Sequence, residues 1–144
     1  MKVMEEVLAS DLPPPRKMYE FYRRRFVINR DRFRADPQNF TLISEMGAAN
    51  FEKVRSYGDL ADHYLAELIV QAQADCYFPG LGIDETLSLI NQMIATYAIP
   101  DNIIYLGDKL TEEKLARIID TMFVGLSGET GAQAQGVNTL RVLN

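Results

Sequence analysis

Apolar residues recur with a helical period along most of this chain, most persistently from Asp59 to Phe78. There Leu60, Tyr64, Leu65, Leu68, Ile69, Ala72 and Cys76 fall on one stripe, which predicts a long central helix. Asp59, after Gly58, is placed to cap its free amides. Asp62 lies in the first turn, where the helix dipole favours negative charge, and Tyr77, Phe78, Pro79 and Gly80 end the element. A second stripe runs from Arg16 to about Ala35, with Met18, Phe21, Tyr22, Arg25, Asn29 and Phe33 on one side and Pro15 as first helical residue. The β-favouring residues around Val27 and Ile28 leave room for a break in it. Leu87, Ile90, Met93 or Ile94, and Tyr97 predict a helix over Glu85 to Ala98, capped by Asp84. Leu115, Ile118, Ile119, Met122 and Phe123 predict another over 112 to 124. Thr111 caps it, Leu110 staples onto Leu115, and Gly125 ends it.

Between these elements the pattern is shorter. Asp36 and Pro37 are a helix start, with the helix running to Met46 and closed by Gly47. Ala48 to Tyr57 predicts a further short helix. Asp101 to Gly107 is apolar and β-branched, but a single short strand has no partner, so it is expected as a buried connector. Residues 1 to 10 can form a short helical turn, after which Pro13, Pro14 and Pro15 stiffen the backbone into an extended arm. Residues 126 to 136 are small and polar, and Val137 to Asn144 alternates in a way suited to strand addition or peptide docking. The expected fold is one all-α domain over 1–144 with five or six helices: a proline-containing arm over 1–15, a helical core over 16–125 and an extended tail over 126–144.

With 144 residues, 47% of them apolar and 24% charged, the chain is long enough for one core and has a globular composition. No apolar run approaches the roughly 20 residues needed to cross a bilayer. The acidic N-terminus lacks the apolar stretch of an export signal. Cys76 is the one cysteine, so no internal disulfide forms and a reducing, cytoplasmic setting fits. The Asn39, Phe40, Thr41 sequon then has no glycosylation to accept. The net charge of −5 is unevenly spread: residues 1 to 34 carry nine Lys or Arg against five acids, and the remainder six against fifteen. A chain so divided suits docking between neighbours of opposite sign, or pairing of its own two regions.

Candidate chemistry is sparse. Asp59, His63 and Glu67 share one helix face with Asp62 and Asp75 nearby, but no HExxH or ExxH spacing accompanies them, so a solvated face outweighs a metal set. His63 and Cys76 are thirteen residues apart on one predicted helix, about 20 Å, too far for proton transfer. Asp101 to Glu112 has the length of a calcium loop, but Ile103, Tyr105 and Leu106 stand where oxygen ligands are needed. Gly80 and Gly82, and the series Gly125, Gly128 and Gly131, lack the GK[ST] of a phosphate loop. No metal or cofactor is expected.

Residues 16 to 34 stand out, with eight Lys or Arg interleaved with Tyr19, Phe21, Tyr22, Phe26 and Phe33. Such a stretch supports a protein interface, a solvated face, or phosphate and base contacts, and the low pI of about 4.9 weighs against the last. The resulting expectation is a non-enzymatic adaptor in a larger protein assembly that includes copies of itself, such as a virion head, neck or tail component, with no membrane partner. Its interface would use Arg16, Tyr19, Tyr22, Arg23, Arg24 and Arg25 with Leu140, Val142 and Leu143 of the tail. The alternatives are a nucleic-acid-binding or regulatory module using Arg16 to Arg34, and a small carboxylate-dependent enzyme with acids near His63.

Overall fold

The three prolines start a helix instead of holding an arm away from the domain. In the computed structural model, which describes residues 2–127, Pro14 and Pro15 open helix α2 (Pro14–Ala35). Their fixed φ suits the first helical turn, where no amide donor is needed. The residues before them form helix α1 (Lys2–Ala9), which buries Met4, Val7 and Leu8 and packs against α2. The expected extended N-terminal arm is therefore a docked helix. Met4, Val7 and Leu8, at i, i+3 and i+4 on one helix face, gain more from burial than a free arm would. The expected C-terminal arm lies outside the described residues.

The β-favouring run of α2 does not break it, because the apolar side of this helix is covered along most of its length. Met18, Phe21, Tyr22 and Phe26 are all buried. Tertiary burial outweighs the few tenths of a kcal/mol by which β-branched residues disfavour a helix. After Asp36, whose carboxylate accepts the Asn39 amide at 3.0 Å, helix α3 (Pro37–Ala49) runs past the expected stop at Gly47. Helix α4 (Phe51–Ala74) then joins two expected elements into one, because Gly58 lies inside it. A helix-interior glycine costs about 1 kcal/mol, too little to stop a 24-residue helix with a packed face. Asp59 accordingly caps nothing. The buried stripe of α4 is Leu65, Leu68, Ile69 and Ala72. Cys76 lies past its end, exposed and with φ 69°, off the stripe that the periodicity assigned it.

Helix α5 (Ile83–Ala98) starts at Gly82, with Asp84 in its first turn and not at the cap. The segment expected as a buried connector forms helix α6 (Asn102–Leu106) and a 3-10 turn (Gly107–Lys109), burying Ile103. Helix α7 (Glu112–Ser127) begins as expected: the Lys114 amide donates to the Thr111 hydroxyl at 3.1 Å, and Leu110 and Leu115 are both buried. Gly125 does not end it. The fold is all-α, and α2 is its axis, touching each of the other six helices in the described residues. Among the described residues no helix is long and apolar enough to cross a membrane.

Candidate functional site

The basic residues of α2 are mostly used within the domain. Arg23 holds Glu20 at 2.8 Å and reaches Glu112 of α7 at 3.4 Å. Arg24 meets Glu20 at 3.1 Å and Glu6 of α1 at 3.6 Å, and Arg30 meets Glu112 at 3.4 Å. Arg16 lies over the Tyr19 ring and 3.9 Å from Glu20, and Tyr19 packs half-buried beside the core. These pairs fasten α1 and α7 to α2. The hydrogen bonds from Arg23 and then Arg24 hold the Glu20 carboxyl below its usual range, against the opposing effect of burial. Its stabilising contribution is complete above the ordinary value of 4.5 and is lost as pH falls through the lower folded value. Glu20→Gln should lower the urea midpoint at neutral pH, and the gap from wild type should close as the pH is taken well below 4.5. A gap of constant size across that range would show that ionisation of Glu20 contributes nothing.

Tyr22 and Arg25 differ from the rest of α2. The Tyr22 side chain is buried, 3% exposed, and among the described residues its hydroxyl has no hydrogen-bond partner. The Arg25 guanidinium stacks 4.9 Å from the Phe21 ring centre and 5.3 Å from that of Tyr22; among the described residues its buried Nε has no hydrogen-bond partner and no carboxylate pairs with it. Burial pushes the pKa of the Tyr22 hydroxyl up and that of the Arg25 guanidinium down. Asp62 of α4 lies near enough to raise the Tyr22 hydroxyl further, and accepts from the Asn91 amide of α5 at 2.9 Å. Polar groups of α2, α4 and α5 thus meet at one place against an apolar interior.

A second feature is an open groove of about 660 Å³ where α5 and α7 meet. Met93 of α5 and Lys114, Arg117, Ile118, Thr121, Met122, Gly125 and Leu126 of α7 line it. The two helices form an antiparallel hairpin: the Tyr97 hydroxyl near the end of α5 donates to the Thr111 carbonyl at 3.1 Å and accepts the Thr111 amide at 3.3 Å, just before α7. Val124, at 74%, and Met93, at 42%, remain exposed on this hairpin. Periodicity alone places the α7 stripe against one core. Its breadth, from Ile118 through Met122 to Val124 and Leu126, wraps further round the helix than one core face needs.

Of the residues expected at an interface, Arg16, Arg23 and Arg24 lie in the ion pairs of α2, Tyr19 beside the core, Tyr22 within it and Arg25 beside Tyr22. Leu140, Val142 and Leu143 lie outside the described residues. His63 and Glu67 pair at 3.3 Å with both side chains largely exposed, and among the described residues no group of three or more His, Cys, Asp or Glu is placed to hold a metal ion.

No curated protein matches the sequence. The family model described as "Tetracyclin repressor-like, C-terminal domain" matches residues 14–119, from the start of α2 into α7. Domains of this kind belong typically to ligand-binding transcription regulators that dimerise, which overturns the expected adaptor of a larger assembly and its virion setting. By its all-α fold and by a match over well more than half its length, the chain belongs to the tetracyclin repressor-like C-terminal domain family.

Proposed function

We propose that this chain is the effector-sensing and dimerising part of a cytoplasmic transcription regulator, and not an enzyme. Its partners are a second copy of itself, a small-molecule effector and, through the regulator as a whole, DNA. The observation that carries the proposal is the apolar groove on the α5 and α7 hairpin, which leaves Met93 and Val124 exposed in a family whose domains typically dimerise. Two hairpins facing each other across a twofold axis would bury these residues in a four-helix arrangement. The family match likewise supports the regulatory half of the alternative drawn from Arg16 to Arg34. The ion pairs of α2 argue against those arginines as phosphate contacts, since Glu6, Glu20 and Glu112 already neutralise much of their charge.

Sedimentation of the full chain tests the dimer. Wild type is expected to sediment as a dimer at micromolar concentration. Met93→Glu and Thr121→Arg, which place a charge in the groove without touching the core, should weaken association by about 100-fold or more while helical content is unchanged. A wild-type chain that stays monomeric across the concentration series overturns the proposal.

A further inference from the structure

We infer that Tyr22 and Arg25 form the seat for a monoanionic carboxylate carried on an apolar body, which is the effector of this domain; the inference rests on the regulatory reading above. Arg25 is partly buried, with its Nε fully so; drawing a guanidinium from water is costly unless an anion pairs with it, and Arg25 stays charged because an arginine side chain does not give up its proton in proteins. Arg16, Arg23, Arg24, Arg30 and Arg34 each lie against a carboxylate, and Arg32 is exposed. Among the described residues, Arg25 has two aromatic faces in place of an anion. Its unused donors and the unpartnered Tyr22 hydroxyl lie at the same place on α2. A forked cation beside a hydroxyl donor matches the two oxygens of a carboxylate.

The neighbouring groups narrow the ligand class further. Asp62 does not fill this seat: its carboxylate is not within ion-pair distance of Arg25 and is held instead by Asn91 at 2.9 Å. Its negative charge near Tyr22 disfavours a doubly charged group such as phosphate, which leaves a singly charged acid. On the helices that carry Asp62 and Asn91, the neighbouring Leu65 of α4 and Ile90 and Ile94 of α5 are fully buried. An apolar body on the acid suits an interior of that kind, where a strongly polar one would lose hydration without replacement.

The test compares hexanoate and benzoate with hexanamide and benzamide, at matched ionic strength and with inorganic phosphate as a control. The readout is the thermal midpoint of the full chain and of Arg25→Met, Arg25→Lys and Tyr22→Phe. Carboxylates are expected to raise the wild-type midpoint while amides and phosphate do not. Their affinity should fall about tenfold or more in Arg25→Met and less in Arg25→Lys and Tyr22→Phe. Equal effects of acids and amides, acid binding that survives Arg25→Met, or no response to either acid overturns the inference. If a variant fails to fold, the comparison of acids with amides on wild type decides alone. A dimer that Met93→Glu splits, together with no carboxylate effect, removes the ligand class and leaves the regulatory reading in place. A monomeric wild type removes that reading whatever the acids do.

Discussion

Phe26→Ala is expected to lower the stability of this domain by about 3–5 kcal/mol, the range for emptying an aromatic site in a packed core. Phe26 is 2% exposed at the middle of α2, and its ring meets that of Tyr97 edge to face at 5.2 Å. The Arg30 guanidinium also lies over the ring, 5.4 Å from its centre. Removing the ring leaves a void and also frees Tyr97, whose hydroxyl ties the end of α5 to the start of α7. Against a total of about 5–15 kcal/mol for a domain, that loss is a large fraction. Urea unfolding followed by circular dichroism at a fixed protein concentration measures it. The control is Ile28→Ala on the same helix, where the side chain is 42% exposed and a change within about 0.5 kcal/mol is expected. A loss below about 1 kcal/mol for Phe26→Ala would show that α2 is not packed as described.

The second large effect belongs to Lys17, a lysine only 8% exposed. Its Nζ donates to the Leu8 carbonyl at 2.7 Å and to Oε1 of Gln71 at 2.8 Å, so a single ammonium group ties α1 to both α2 and α4. Leu8 lies in the last turn of α1, where carbonyls have no helical partner of their own. Two hydrogen bonds from a charged donor, together with the packed stem, make Lys17→Ala cost about 2–4 kcal/mol. Lys17→Met keeps the apolar stem and should cost less. The loss should be local first: hydrogen exchange of residues 2–9 should accelerate while the core of α2 remains protected. Uniform acceleration across the domain would place Lys17 in the global core and not at the dock of α1.

The helices were legible where periodicity and a chemical start coincide. Thr111 with Leu110 and Leu115, and Asp36 before Pro37, behave as their residue types require. What misled were residues whose local preference is weak beside tertiary burial. Gly58 and Gly125 read as stops but lie within α4 and α7. The β-branched Asp101 to Gly107 became α6 and its 3-10 turn, and Pro13 to Pro15 read as an arm although Met4, Val7 and Leu8 ahead of them had a core to reach. The tertiary context that decides these cases has no local trace. The candidate site was half legible. The arginine and aromatic interleaving of α2 was visible, but which arginine lacks an acid depends on Glu6 and Glu112, far away in sequence. The groove between α5 and α7 depends on how two helices separated by α6 come together.

One consequence follows from the position of α2, which contacts α5 and α7 and also carries Tyr22 and Arg25. An acid seated at Tyr22 and Arg25 and a second subunit docked on the groove of α5 and α7 would both act on elements packed against α2, so any coupling between the two proposed equilibria is reciprocal. Whatever factor an acid adds to subunit affinity, pairing of subunits must add to affinity for that acid.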